Sequence, residues 1–68
     1  YKDIISTNIN HLLKINPLTY SNLYDKIKNT ITVFVVNEEI FKITLQHMIE
    51  ADYIIYNSLT LMYEKIYY

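Results

Sequence analysis

The fold is decided in the second half of the chain, where a helical pattern gives way to a strand pattern over residues 37–67, NEEIFKITLQHMIEADYIIYNSLTLMYEKIY. Asn37 is a favourable N-cap, and the two glutamates after it suit the positive end of a helix. Apolar side chains then recur at the spacing that buries one helix face, at Phe41, Leu45, Met48 and Ile49. These features predict a helix that begins at residues 37–39 and ends near residues 51–52.

The period then changes to that of β-strands. Residues 53–56 are aromatic or β-branched and predict a strand, residues 57–60 a turn, and residues 61–67 a second strand. Because the chain has no glycine, Asn57 is the turn residue best able to adopt a left-handed conformation. A β-hairpin is therefore predicted directly after the helix.

Two further helices are predicted upstream. The first covers residues 3–15, with Asp3 as its cap, and ends before Pro17 because the residue preceding a proline avoids the helical region. A short extended piece then leads through Thr19, a plausible N-cap, into a second helix over residues 20–31. The apolar stripes are Ile5, Ile9, Leu12 and Leu13 in the first helix, and Leu23, Tyr24, Ile27 and Ile31 in the second.

The order helix, short strand, helix, helix, strand, turn, strand predicts an α+β fold of winged-helix type. It would have a three-helix helix-turn-helix core and a C-terminal hairpin or three-stranded sheet. Residues 30–36 are mostly β-branched and leave helix end, loop or a further strand open. A chain of 68 residues predicts one domain over residues 1–68, and the absence of an initiator methionine suggests a piece of a larger protein, although a processed or trimmed protein would look the same.

The composition excludes several kinds of site. Without cysteine there is no disulfide or thiolate zinc site, and without glycine there is no phosphate-binding loop or nucleophile elbow. His11 and His47 lack the partners that a metal site needs. Glu38 and Glu39 are adjacent, so on a helix they point about 100° apart and do not face each other. We therefore expect no catalytic residue, no metal and no cofactor.

The charge pattern argues against nucleic acid as a partner. The net charge is −1 and every basic residue is a lysine. The third helix, which would enter a DNA groove, carries a net −3 from Glu38, Glu39, Glu50 and Asp52 against Lys42. Such a helix repels phosphate. No apolar run approaches the roughly 20 residues that span a bilayer, and the N-terminus is not a signal-peptide start, so we expect an intracellular, soluble domain without a membrane partner.

Tyrosines crowd the hairpin and the tail, at Tyr53, Tyr56, Tyr63, Tyr67 and Tyr68. Since strands alternate faces, some of these rings must point outward, where tyrosine is favoured at protein interfaces. Tyr56 and Tyr63 are therefore candidate partner-binding residues. The alternative is that tyrosine replaces other large residues in a chain whose abundant residues, Ile, Tyr, Asn and Lys, all have A/T-rich codons.

One pattern of spaced residues runs through nearly the whole chain. Its members are Leu18, Leu23, Ile27, Ile31, Phe34, Phe41, Lys42, Leu45, Met48, Ile49, Glu50, Tyr53, Ile54, Tyr63 and Ile66. In this pattern the chain resembles the C-terminal winged-helix domain of cullin-type scaffolds of ubiquitin ligases. The resemblance implies the same fold, at the C-terminal end of a larger scaffold protein.

One departure from the family concerns the first helix. Cullins carry a modifiable lysine there, in an Ile-Val-Arg-Ile-Met-Lys context, whereas here Leu13 takes that position and Lys14 follows it. Neddylation is therefore disfavoured. Residues 12–19, with Leu23-Tyr24 and Ile27, are more similar to the cullin-like subunit of the anaphase-promoting complex, which lacks the modification motif.

The resemblance implies a non-catalytic protein-interaction module that helps to position a ubiquitin-conjugating enzyme near a RING subunit in cell-cycle ubiquitination. Its implied partners are those two proteins and other ligase subunits, in nucleus and cytoplasm. One alternative is the end of a divergent cullin, neddylated at Lys14. A second is a winged helix that binds nucleic acid.

Overall fold

The computed structural model describes residues 2–66 as three helices and a three-stranded antiparallel sheet, which is an α+β fold. The elements are α1 (Lys2–Ile15), β1 (Leu18–Thr19), α2 (Tyr20–Thr30), α3 (Glu38–Glu50), β2 (Ile54–Asn57) and β3 (Met62–Lys65). The three predicted helices and the predicted hairpin are confirmed, with small shifts at their ends. The second strand of the hairpin is shorter than predicted, and Tyr67 lies outside the described residues.

Helix α1 begins before Asp3, so the prediction that this residue caps it is wrong. Asp3 lies inside the first turn, where its carboxylate still suits the positive helix end. The helix ends as predicted, with the Asn16 N–H donating to the Leu12 carbonyl at 3.2 Å just before Pro17.

The predicted caps of α2 and α3 are both confirmed. Thr19 Oγ1 accepts a hydrogen bond from the Asn22 N–H at 3.4 Å, and Asn37 Oδ1 accepts one from the Ile40 N–H at 2.9 Å. Each side chain thereby satisfies one of the amide groups that the first turn of a helix leaves without a partner.

Substitution of Asn37 by alanine is expected to lower the free energy of unfolding by about 0.5–2 kcal/mol, because the amide that it caps loses its acceptor. Urea unfolding followed by circular dichroism measures this difference. Asn29→Ala, an exposed change in the last turn of α2, is the matched control and should be neutral or slightly stabilising. Equal losses in the two variants would argue against the cap.

The segment between α2 and α3 is a loop, so the alternative that adds residues 30–36 to the sheet is wrong. Helix α2 includes Thr30, and Ile31 closes it by donating its N–H to the Ile27 carbonyl at 3.0 Å. Ile31 and Val36 are buried in the core at the two ends of the loop. Strand propensity reflects the fit of a side chain to a pleated surface, and these anchors hold the segment between two helices instead.

Strand β3 lies in the middle of the sheet, between β1 and β2. Leu18 pairs with Tyr63 on one side, and Tyr56 pairs with Tyr63 on the other. The helices cover one face of this sheet around a single core, formed by Ile5, Ile9, Leu13, Leu23, Ile27, Ile31, Val36, Phe41, Leu45, Met48 and Ile54. The predicted stripes supply most of this core, whereas Leu12, Tyr24 and Ile49 lie at its margin.

The residues with a left-handed backbone conformation differ from the predicted residue, Asn57. Asn57 keeps an ordinary backbone and organises the turn through its side chain, whose Oδ1 accepts the Leu59 N–H at 2.9 Å and the Thr60 N–H at 3.4 Å. Positive φ angles occur instead at Asp52, 62°, and Leu61, 60°. Asp52 ends α3 in a Schellman arrangement, in which the Tyr53 N–H donates to the Met48 carbonyl at 3.0 Å.

Candidate functional site

The two predicted partner-binding tyrosines lie side by side on the hairpin. Tyr56 and Tyr63 are directly opposite each other in β2 and β3, with ring centroids 4.9 Å apart and ring planes at 54°. Tyr63 is half-buried against the core, and this burial, followed by the nearby Tyr56, raises the pKa of its phenol. Tyr56 is 44% exposed and offers the larger accessible surface of the pair.

The other tyrosines divide into an exposed residue and a structural pair. Tyr53 is exposed just before β2, whereas Tyr67 and Tyr68 lie outside the described residues. Tyr20 and Tyr24 pack on Phe41, with ring centroids 5.4 and 5.0 Å away, and so join α2 to α3. These two rings are part of the core margin and are not candidates for partner binding.

A hydrogen bond strengthens the same α2–α3 contact. The Tyr20 phenol donates to Glu38 Oε1 at 3.0 Å. Burial of the ring, together with this hydrogen bond and the negative charge of Glu38, raises the pKa of Tyr20 to about 12. The phenol therefore stays protonated at physiological pH, and the Glu38 carboxylate takes part in the contact between α2 and α3.

The hairpin tip, residues 58–61, exposes two leucines that the sequence analysis did not identify as surface residues. Leu59 is almost fully exposed and Leu61 is more than half exposed. The predicted turn over residues 57–60 includes Leu59, and the predicted strand over residues 61–67 includes Leu61. A usable signal existed, because the turn between two strands lies at the protein surface, where a leucine has few neighbours to pack against.

Substitution of Leu61 by asparagine is expected to raise the free energy of unfolding by about 0.5–1 kcal/mol. Leucine pays a steric cost at φ 60°, whereas asparagine tolerates this conformation and gives up little packing at an exposed site. Thermal or urea unfolding measures the change. Leu59→Asn makes the same replacement at an exposed residue without positive φ, and should change stability by less than about 0.5 kcal/mol. No gain at Leu61 would contradict the left-handed assignment.

A second exposed apolar surface lies in the loop between α2 and α3. Residues 31–36 and Lys28 line an open groove of about 560 Å³, which is named the loop groove below. Val33 and Val35 project from this loop and are strongly exposed. The Lys28 ammonium lies over the Tyr24 ring, 5.0 Å from its centroid, so the charge nearest the groove has an aromatic partner.

The region that the resemblance predicts for modification is the end of α1, which is distant in sequence from Tyr56 and Tyr63. Leu13, which the resemblance places at the modifiable position, is only 3% exposed and belongs to the core. Lys14 is exposed in the last turn of the same helix. Leucine has no amine that a protein modifier can be joined to, whereas Lys14 has one and is exposed.

Helix α3 presents an acidic outer face. Lys42 Nζ lies 3.7 Å from Glu38 Oε1 in a solvent-exposed ion pair, which contributes at most about 0.5 kcal/mol. Gln46 Nε2 donates to Glu50 Oε1 at 3.2 Å, and Glu39 is also exposed. The single lysine of this helix thus faces a carboxylate, and the helix keeps a net negative charge.

A second concavity, of about 220 Å³, lies between α1 and α3 and is lined by Asp3, Ser6 and His47 among others. In it the Ser6 hydroxyl donates to the Asp3 backbone carbonyl at 3.2 Å. Within residues 2–66, no group of three His, Asp or Glu side chains is placed to hold a metal ion. No helix in this range is long and apolar enough to cross a membrane.

Comparisons with known proteins do not indicate a function for any of these surfaces. No protein-family model, curated protein or solved structure matched the chain. The function proposed below therefore rests on the arrangement of the chain's own residues and on the sequence resemblance described above.

Proposed function

We propose that this chain is a winged-helix domain that binds other proteins and performs no chemistry of its own. The observation that carries this proposal is the order of the elements together with the strand order β1-β3-β2. A short strand between the first two helices pairs with the last strand, and a hairpin follows the third helix directly. This is the layout expected of a winged helix, and it agrees with the resemblance to the C-terminal domain of cullin-type scaffolds.

In this proposal the domain belongs to a ubiquitin-ligase scaffold similar to the cullin-like subunit of the anaphase-promoting complex, in nucleus and cytoplasm. It holds a ubiquitin-conjugating enzyme close to the RING subunit, so that its contribution is proximity and orientation. Tyr56 supports this role, because an exposed tyrosine adds contact area and a hydroxyl at a low cost in conformational entropy.

Charge favours a protein partner over nucleic acid. The third helix would be the DNA-reading element of a winged helix, yet its exposed face carries Glu39 and Glu50 and its only lysine is paired with Glu38. A surface of this kind gains no free energy from counterion release and repels the phosphate backbone.

Amide chemical-shift mapping tests the proposal directly. The labelled domain is titrated with a ubiquitin-conjugating enzyme of the cell cycle, and in parallel with duplex DNA. We expect localised shifts that include Tyr56 with the enzyme, and none with DNA. Shifts with DNA alone that weaken as salt rises, or no shifts with the enzyme, would contradict the proposal.

Two variants of one strand sharpen this experiment. Tyr56→Thr replaces the ring with a β-branched side chain that strands also favour, and it should weaken enzyme binding by about tenfold, as the loss of a central interface tyrosine does. Ile55→Thr changes the neighbouring exposed residue, which lies on the opposite face of the sheet, and should leave binding unchanged. Equal effects would mean that the partner does not contact the tyrosine face.

A second candidate function is favoured by the exposure of Lys14. In this alternative the domain is the end of a divergent cullin, and Lys14 receives the ubiquitin-like modifier in place of the buried Leu13. Conjugation assays on Lys14→Arg, with Lys26→Arg as an exposed control, decide between the two. Loss of conjugation in Lys14→Arg but not in Lys26→Arg supports this candidate. Conjugation that is unchanged in Lys14→Arg, or that is absent from the native chain, excludes it.

A further inference from the structure

The shortest ring contact between tyrosines within residues 2–66 joins Tyr56 to Tyr63. The two residues lie directly opposite each other in the antiparallel pair of β2 and β3, and their ring centroids are 4.9 Å apart. Aromatic contacts in proteins span centroid distances of about 4.5–7 Å, so this pair lies near the short end of the range. The register therefore keeps each phenol ring beside the other for as long as the hairpin is formed.

The pair is accessible from solution. Tyr56 is 44% exposed, whereas Tyr63 is half-buried against the core. A reagent in water therefore meets the Tyr56 ring first, and the ring of Tyr63 is its immediate neighbour. An electron lost from the second ring can pass through the first, because the two rings are in contact.

The other tyrosines of the described part of the chain are placed differently. The Tyr20 and Tyr24 rings are 6.3 Å apart between centroids, and the Tyr20 phenol donates to Glu38 Oε1 at 3.0 Å. Tyr53 is exposed, but its backbone carbonyl accepts the Ile66 N–H at 3.1 Å, so an isoleucine faces it across the hairpin. None of these three tyrosines combines exposure with a close tyrosine neighbour within residues 2–66.

We propose that Tyr56 and Tyr63 form an oxidative modification site, at which a one-electron oxidant, such as a peroxidase supplied with hydrogen peroxide, joins the two rings into a dityrosine cross-link. Each phenol loses one electron and one proton and becomes a phenoxyl radical, whose unpaired electron is shared with the Cε atoms beside the oxygen. The two radicals combine in a Cε–Cε bond. Each bonded carbon then gives up its proton while the oxygen regains one, which restores both phenols. One hydrogen peroxide takes up the two electrons and two protons and becomes two waters.

Proximity decides which tyrosines couple. The partner ring within the same hairpin is present at an effective concentration of at least about 1 mM, whereas rings of other molecules in a dilute sample are present at micromolar concentration. Coupling inside one molecule should therefore exceed coupling between molecules by at least about tenfold. The new bond closes a covalent ring over residues 56–63 and fixes the register of β2 and β3. This chemistry is independent of the partner proposed above.

Treatment of the native chain at micromolar concentration with peroxidase and limiting hydrogen peroxide tests this proposal. Dityrosine fluorescence measures the coupling, and the monomeric product should be lighter than the native chain by the pair of hydrogens that coupling removes. Chymotrypsin cleavage in the hairpin tip, after Leu59 or Leu61, should leave two peptides that remain joined through Tyr56 and Tyr63. The yield per molecule should not change when the chain is diluted.

Phenylalanine variants give the decisive comparison, because they remove one phenol and keep the ring. Tyr56→Phe and Tyr63→Phe should each lower the dityrosine of the monomer by about tenfold. Tyr53→Phe changes an exposed tyrosine of the same region and should couple like the native chain. Amide spectra verify that each variant is folded. A native chain without dityrosine, a cross-link through other tyrosines, or equal yields in the native chain and in Tyr56→Phe or Tyr63→Phe overturns the proposal.

Discussion

Replacement of Phe41 by alanine is expected to lower the free energy of unfolding by about 3–5 kcal/mol. Phe41 is the largest fully buried side chain among the described residues. Its ring contacts the Tyr20 and Tyr24 rings at centroid distances of 5.4 and 5.0 Å. The substitution therefore removes apolar burial and two aromatic contacts, and it leaves a cavity at the α2–α3 junction. Small domains have a total stability of only about 5–15 kcal/mol, so this variant should lie close to unfolding.

Urea unfolding followed by circular dichroism measures this loss. Ile43→Ala, on the exposed side of the same helix, is the matched control and should cost less than about 1 kcal/mol. If Phe41→Ala does not fold, Phe41→Leu gives a measurable variant with a loss of about 1.5 kcal/mol. Similar losses at positions 41 and 43 would mean that the buried face of α3 has been assigned wrongly.

Replacement of Ile54 by alanine is expected to cost about 2–5 kcal/mol. Ile54 is fully buried at the start of β2 and is the only residue of that strand in the core cluster. Its side chain ties the hairpin to the helices. Because neighbouring strand residues face opposite sides of the sheet, Ile55→Ala removes the same atoms from an exposed position and should cost less than about 1 kcal/mol.

Comparison of these two isoleucine variants tests the register of the hairpin. A slip of one residue would exchange the buried and exposed faces, so the larger loss would move from position 54 to position 55. Chemical denaturation of both variants under the same conditions provides the measurement. A larger loss for Ile55→Ala would contradict the pairing of Tyr56 with Tyr63.

The helices could be predicted from sequence because their signals are local. The stripe through Phe41, Leu45 and Met48 sets the buried face of α3, and Asn37 sets its start through a hydrogen bond three residues away. The end of α1 follows from Pro17, which restricts the residue before it. In each case the determining residues lie within a few turns of one helix.

The loop and the turns could not be predicted in the same way. Residues 30–36 have strand propensity, but their path depends on Ile31 and Val36 being buried in a core that distant residues build. In a chain without glycine, the left-handed positions fell on Asp52, a residue type that tolerates this conformation, and on Leu61, a type that does not. These conformations are imposed by the helix end and by the hairpin register.

The candidate site was predictable in part. Alternation along a strand indicated that some hairpin tyrosines are exposed, and Tyr56 is one of them. The contact between Tyr56 and Tyr63 depends on the register of two strands, and the loop groove depends on the path of the loop between α2 and α3. Leu13 and Lys14 differ in exposure because neighbouring residues lie about 100° apart on a helix.

The protein-binding role proposed for this domain depends on β3 lying between β1 and β2. Nuclear Overhauser contacts between backbone protons of the labelled chain measure this arrangement directly. Contacts should join Leu18 to Tyr63 and Tyr56 to Tyr63, in the register of the two antiparallel pairs. Contacts from residues 30–36 to the hairpin, without any between Leu18 and Tyr63, would contradict the strand order β1-β3-β2 and the winged-helix function proposed from it.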